Sequence, residues 1–469
     1  MSLFVETVQW VFLVYFVAIN MGYFSLNILA IMSLKRSIAG RALANLPQTY
    51  SGIEPGISIL VPAYNEEATI TTSIQSLLQV DYPEFEVVVV NDGSKDGTLQ
   101  ALIRDFELRP FPEVFWAQLK TQPVRGIYRS TKYQNLRVID KENGGKADAL
   151  NVGISAAKFP LFCAIDADSI LQRDSLRRVV DPFLEDPLTI ASGGTVRIAN
   201  GCEVRGGFLT KIDLPTDPLA LLQIVEYLRA FLFGRMGWAA INAVLIISGA
   251  FGVFKKDAVI EAGGYASGSL GEDMELVVRM HRLFRERNKP YAIHFIADPI
   301  CWTEAPESLK VLKSQRVRWQ RGLAESLFAH RSLCFSRNGG TPGWIAFPFM
   351  TIFEWWGPLL EVAGYAFMFY LVSVGHISFE VFLIFMAMAF TLGFMLSLSA
   401  LLLEELTFHL YPRFSQLGRL VLIAMLENFG FRQLVSVWRL IGLVQWMFGA
   451  KASWGNMTRS GSWQSPGGR

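Results

Sequence analysis

The chain has 469 residues, enough for roughly two to three units of ordinary domain size. It is 51% hydrophobic with a mean hydropathy of +0.31, too apolar for a wholly soluble protein, yet its 43 basic and 41 acidic residues require a large soluble part. The net charge of +2 gives no footing for nucleic acid. Cys163, Cys202, Cys301 and Cys334 lie far apart with no CxxC pair and no His-Cys cluster, which argues against a disulfide framework or a zinc site and fits a reducing compartment.

The first element is apolar. No acidic or basic residue lies between Thr7 and Leu34, a run longer than the about 20 residues that span a bilayer. Residues 1–34 are therefore expected to form a transmembrane helix. Lys35, Arg36 and Arg41 follow at once, and the positive-inside rule puts the chain from residue 35 onward in the cytoplasm. Glu6, not a basic segment, precedes the apolar run, so a cleaved signal peptide is not expected.

From residue 54 short apolar runs alternate with polar helical stretches. ISILVPAYNE (57–66) reads as a strand and loop, 67–79 as a helix, and EVVVVNDGS (86–94) as a strand entering a turn. LRVIDKENGG (136–145) is a strand and loop, KADALNVGISAA (146–157) a helix, and PLFCAIDAD (160–168) a strand ending in acids. This alternation predicts an α/β fold with a mainly parallel sheet, whose ligands bind at the carboxyl ends of the strands. Tyr64, Asn65, Glu66, Asp92, Asp166 and Asp168 all fall at such ends.

Residues 219–233 and 310–330 suit interfacial helices beside a soluble domain spanning 54–335. The run 236–254 carries no charge and would score as a membrane span. A single crossing there would put Asp168 and Asp273 on opposite sides of the bilayer, so it is not expected to be one. Residues 338–450 are expected to form transmembrane and interfacial helices. The stretch 381–403 is the clearest span, Gly375-His376 a turn between spans, and Glu427, Arg432 and Arg439 mark a cavity-facing or interfacial segment. Residues 451–469 form a short tail whose Lys451, Arg459 and Arg469 favour the cytoplasmic side.

Several short motifs carry chemistry. Asp166 and Asp168 flank one residue at a strand end, a pattern that offers hard oxygens to Mg²⁺ or Mn²⁺, and that also suits a capping acid. In NDGSKDGT (91–98) Asp92 can accept hydrogen bonds from a base or ribose. Lys146 stands at a helix start after two glycines, a phosphate-binding arrangement. Asp273 opens a helix after a Gly- and Ser-rich loop and can act as a general base; Glu272 stands beside it, and spacing does not separate the two. In QRVRW, Gln315, Arg318 and Trp319 share one helical face. Arginine grips a diphosphate bidentately, and tryptophan offers a flat surface to a sugar ring. Alone, the same residues read as an interfacial Arg/Trp belt.

In order, VPAYNEE, VVNDGS, GGKADALN, DAD, ISGAF, GED and QRVRW resemble the inverting family 2 glycosyltransferases, and most closely the processive membrane synthases of cellulose, chitin, hyaluronan and poly-N-acetylglucosamine. The resemblance covers roughly residues 55–330 and the flanking spans. It implies a GT-A nucleotide-sugar-binding domain and a UDP-sugar-dependent hexosyltransferase. Tyr64, Glu66 and Asp92 match positions around the uridine, Lys146 a diphosphate contact, Asp166 the first acid of the DxD motif and Asp168 its metal-binding second. Asp273 matches the base, Ser248 and Gly249 the acceptor entrance, and Gln315, Arg318 and Trp319 the acceptor and diphosphate motif. Gly271 stands where the family has threonine. The resemblance further implies Mg²⁺ or Mn²⁺ as cofactor, a growing glycan as acceptor, a catalytic domain on the cytoplasmic face of a multi-pass membrane protein, and an accessory secretion or regulatory subunit as partner. No PilZ-like RxxxR module follows the last apolar stretch, so no cyclic-di-GMP site is expected in cis. Two other readings stand beside this one: a non-processive enzyme glycosylating a lipid acceptor, and an inactive membrane scaffold or receptor subunit, against which the intact Asp166, Asp168 and Asp273 speak.

Overall fold

The structure, a computed structural model, describes residues 3–44, 53–205 and 207–450; the expected tail at 451–469 lies outside them. Among the described residues there are twelve strands: β1 Ile57–Ala63, β2 Phe85–Asn91, β3 Leu108–Pro110, β4 Val124–Ser130, β5 Leu136–Lys141, β6 Leu161–Ile165, β7 Ile170–Leu171, β8 Thr189–Ile198, β9 Glu203–Arg205, β10 Phe208–Lys211, β11 Phe251–Lys255 and β12 Ala292–Thr303. Ten of them form one sheet in the order β3-β4-β5-β2-β1-β6-β11-β8-β12-β7, and β9 pairs with β10 alone.

The centre of the sheet, β5-β2-β1-β6, is parallel throughout, with Ile57 opposite Phe85 on one side and Leu161 on the other. Its strands are continuous apolar runs because helices cover both faces. The helix Lys146–Ala156 packs on β1 and β2. Beyond this centre β4, β11 and β7 run the opposite way, while β8 and β12 rejoin the direction of β6. Most of the strands therefore share one direction, and their carboxyl ends share one edge.

The uncharged run 236–254 does not cross a membrane. It forms the end of a helix, Met236–Ala239, then an extended segment, then most of β11 between β6 and β8. A strand buried on both faces needs no charge, and in composition it is indistinguishable from a lipid-facing run.

The N-terminal helix is longer than expected, Leu3–Ala44, of which Val5–Lys35 is long and apolar enough to span a bilayer. Phe379–Thr407 is the second such helix. Phe414–Leu426 and Phe431–Met447 meet at a 56° bend and make a third span if counted as one, while Gly357–Ser373 is apolar but shorter. Gly375 takes a left-handed conformation (φ +71°) in the turn before Phe379. At the 56° bend, Glu427 is fully buried and pairs with Arg229 and Arg432, and Arg439 pairs with Glu354. The three charges that marked this region are thus bound among helices and do not face lipid alone. The helix Pro218–Leu228, capped by Asp217, continues into a π-helical segment Arg229–Arg235 and packs between the sheet and these apolar helices.

Candidate active site

The shared strand edge opens onto one cavity of about 1820 Å³. Tyr64 and Glu66 follow β1, Asp92 follows β2, Lys146 begins the helix after β5, and Asp166 and Asp168 follow β6. Because β11 runs antiparallel to β6, with Phe251 opposite Ile165, Ser248 and Gly249 lie at its start beside Asp166. The Asp166 N–H donates to the Ala250 carbonyl at 3.4 Å. Asp273 enters from the first turn of the helix Glu272–Glu286, and Gln315, Arg318 and Trp319 from the helix Leu309–Ala329. All twelve of these residues line the cavity.

Lys146 joins the two halves of the site. Its ammonium pairs with Asp166 at 2.6 Å and Glu272 at 3.5 Å, and donates to the Gly249 carbonyl at 3.1 Å. Burial works to lower its pKa, but the Asp166, Glu272 and Asp273 carboxylates outweigh burial and hold it well above the usual lysine value. Burial pushes the Glu272 carboxyl up, against the attraction of Lys146. The geometry separates the two adjacent acids. Glu272 faces Lys146, whereas Asp273 accepts from the Gly249 N–H and from the Met274 N–H, each at 2.8 Å. Each Asp273 oxygen still has an acceptor direction left.

Asp92 lines the cavity and also anchors a loop beside it. Its carboxylate is buried and takes Lys141 Nζ and the Gly144 N–H on one oxygen, and the Gly145 N–H and Asn143 Nδ2 on the other. With four donors on its two oxygens, Asp92 holds the glycine loop before Lys146. Gly145 has φ +88° there, a conformation that favours glycine. Lys141, fully buried between Asp92 and Asp148, is the counter-charge that the sequence did not single out.

The acceptor side has its own supports. Gln315 is buried, and its Oε1 meets no hydrogen-bond partner among the described residues. Arg316 covers one face of the Trp319 ring at 4.3 Å and pairs with Glu226 at 2.8 Å. The helices carrying Asp273 and Gln315 touch through glycines. A Cβ on Gly271 would stand 3.0 Å from the Gly322 Cα, and one on Gly322 would stand 2.8 Å from the Gly271 N. Gly271 is therefore matched to Gly322, and a threonine in its place would push the helices apart. Further along, the cavity is lined by Gln320, Glu354 and Arg439 among the apolar helices.

Among the described residues no group of three or more His, Cys, Asp or Glu side chains could hold a metal ion. Asp166 and Asp168 both line the cavity just after β6, a donor set that fits Mg²⁺ or Mn²⁺ shared with phosphate oxygens.

Residues 58–257 match the family described as Glycosyl transferase family 2, and residues 161–398 match Glycosyl transferase family group 2. The chain is 29% identical over 273 residues to a poly-beta-1,6-N-acetyl-D-glucosamine synthase of Staphylococcus epidermidis, covering 58% of this chain and 55% of that protein. It is 30% identical over 274 residues to the synthase of the same name from Staphylococcus aureus (strain COL), with the same coverage. The chain thus spans about half the length of the curated relatives it matches. A mannosyltransferase from Pyrobaculum calidifontis, solved in complex with GDP-Man and Mn²⁺, shares the fold, with a TM-score of 0.51 at 17% identity over 92% of this chain and 100% of that one. The second family match alone takes in half of the chain, from the DAD strand to the long apolar helix, and with the motifs gathered in one cavity it establishes that the chain belongs to the family 2 glycosyltransferases.

Proposed function

We propose that this protein is an inverting, metal-assisted glycosyltransferase that moves a sugar from a UDP-sugar to the end of a growing β-linked polysaccharide at the cytoplasmic face of a membrane. The observation that carries the proposal is the convergence of Asp273, Lys146 and the Asp166/Asp168 pair on one cavity, with Lys146 paired to Asp166 and to Glu272, the neighbour of Asp273. The poly-N-acetylglucosamine synthases among its relatives make UDP-N-acetylglucosamine the first donor to test.

In this mechanism the diphosphate lies over the helix start at Lys146, with Arg318 neutralising it from the acceptor side. Asp168, with Asp166 beside it, would hold a divalent ion, which would supply Lewis-acid stabilisation to the departing diphosphate. Asp273 takes the proton of the acceptor hydroxyl, and that oxygen forms its bond to the anomeric carbon as the bond from that carbon to the diphosphate oxygen breaks. UDP leaves with the bonding electrons, and an α-linked donor gives a β-linkage. The two backbone N–H groups on Asp273 hold the carboxylate aimed at the acceptor. The continuation of the cavity to Glu354 and Arg439 supports a path for a chain that grows away from the site.

The test is incubation of the purified protein in detergent or nanodiscs with UDP-N-acetylglucosamine and Mg²⁺ or Mn²⁺, with product length and UDP release measured together. A long polymer is expected. A lipid bearing a single sugar would overturn the processive part of the proposal. Asp273→Asn is expected to lower transfer by about 10²- to 10⁴-fold, the usual contribution of a general base. UDP release undiminished in that variant would remove Asp273 from the base role.

A further inference from the structure

Arg235 stands apart from the other arginines around the site. It ends the π-helical segment Arg229–Arg235 and lines the cavity. Its neighbours are committed to protein carboxylates: Arg229 to Glu427, Arg316 to Glu226 and Arg439 to Glu354. The Arg235 guanidinium instead lies over the Phe231 ring at 3.8 Å, and its Nη1 is buried with no hydrogen-bond partner among the described residues. Leaving a buried charged donor unmade is costly, and such a group calls for a partner supplied from outside the chain. A π-turn, itself uncommon, often marks a functional site because its extra residue redirects a side chain out of the helical register.

Where Arg235 sits decides what it meets. The groups placed for the nucleotide and diphosphate lie along the sheet edge, on the loops after β1, β2, β5 and β6. Arg235 lies on none of those loops but between the sheet and the apolar helices, and its charge interacts with Asp273. Burial lowers its pKa to about 10, so it remains a cation at neutral pH. A guanidinium has donors only, and the partner it lacks is an oxygen. In the mechanism proposed above, the oxygens brought towards Asp273 are those of the acceptor.

We propose that Arg235 binds the terminal sugar of the acceptor, its Nη1 donating a hydrogen bond to a hydroxyl or carbonyl oxygen of that sugar while Asp273 takes the proton from the attacking hydroxyl. This rests on the glycosyltransferase reading above and adds to it a residue that selects and seats the acceptor.

The experiment measures transfer from UDP-N-acetylglucosamine to short β-linked N-acetylglucosamine oligomers by full-length wild type, Arg235→Met and Arg235→Lys, with UDP affinity by calorimetry as the measure of an intact donor site. Arg235→Met is expected to raise the acceptor KM about 10- to 100-fold, in keeping with loss of one charge-assisted hydrogen bond. UDP affinity stays within about twofold, and Arg235→Lys recovers part of the acceptor KM. An unchanged acceptor KM in Arg235→Met, or a parallel loss of UDP affinity, overturns the inference. Absence of transfer by the wild type removes the glycosyltransferase reading, and this inference with it.

Discussion

The glycine contact between the two site helices gives a sharp test, Gly322→Ala. Gly322 lies inside the helix Leu309–Ala329, where alanine is favoured over glycine by about 1 kcal/mol. Its new Cβ would stand 2.8 Å from the Gly271 N, 2.9 Å from the Gly271 Cα and 3.1 Å from the Leu270 carbonyl carbon. All three atoms are backbone, so no side chain can rotate away, and ordinary contact needs about 3.5–4.0 Å. The helices must separate by roughly 0.6–1 Å. Overpacking of this kind costs about 1–3 kcal/mol, and the gain in helix propensity offsets about 1 of that, leaving a loss of roughly 0–2 kcal/mol. Catalysis is more sensitive: Asp273 lies two residues from Gly271, and a displacement of about 1 Å costs on the order of 10²-fold in rate. The expected result is a fall of about 10²-fold in transfer, with UDP affinity unchanged and only a few degrees lost in thermal midpoint. Gly418→Ala, at a position where a Cβ meets nothing, serves as the control and is expected to leave transfer intact. Transfer within twofold of wild type in Gly322→Ala would refute the coupling of the two helices to Asp273.

Three further outcomes are expected. Asp92→Asn removes the charge paired with fully buried Lys141 and loosens the loop before Lys146; it should cost about 3–5 kcal/mol and raise the donor KM, and an unaltered thermal midpoint and KM would contradict the anchoring role. His281 is buried, donates through Nε2 to the Val244 carbonyl, accepts at Nδ1 from Tyr291, and is pushed down by burial from 6.5 to about 4. The folded state therefore stays neutral while the unfolded state gains a proton, so stability is intact above pH 6.5 and falls by about 3 kcal/mol as pH drops toward 4; thermal midpoints across that range should fall less steeply for His281→Gln, and an identical slope would exclude it as the source. Removal of divalent cations with a chelator should abolish sugar transfer and Mn²⁺ or Mg²⁺ should restore it, while Asp168→Asn should raise the metal concentration needed; full turnover in excess chelator would dismiss the metal.

Much of the site could be read before the fold because parallel strands end on one edge. Once ISILVPA, EVVVVN and LFCAI are read as strands, the residues after them must converge, whatever the details between. Asp273 and Gln315 needed only helix starts and a shared helical face. Three features escaped for physical reasons. The loop-anchoring role of Asp92 is invisible because its partners, Lys141 and two backbone N–H groups, become neighbours only when β2 and β5 pair. The buried pairs Arg229–Glu427 and Arg197–Glu404 join residues about two hundred positions apart, so no local pattern announces them. Arg235 is displaced by the π-turn, which breaks the 3.6-residue period on which any face assignment depends. The uncharged run ending in β11 was settled by a topological argument about two aspartates, because hydropathy alone could not distinguish a sheet interior from lipid.

The first helix ties the protein together in a way that bears on how it can be handled and how it could have evolved. Leu26, Ala30 and Leu34 belong to the same continuous core as the sheet. Tyr23 bonds Glu354, the partner of cavity-lining Arg439, and Asn27 bonds Ser399 of the long apolar helix. Gly237 lies so close that a Cβ there would stand 2.5 Å from the Leu26 carbonyl oxygen. Excising residues 54–335 to obtain a soluble enzyme would expose this seam and strip the cavity of its far wall. The first helix is thus part of the catalyst's architecture, and swapping it for another apolar helix would preserve its hydropathy while sacrificing the packing that shapes the cavity.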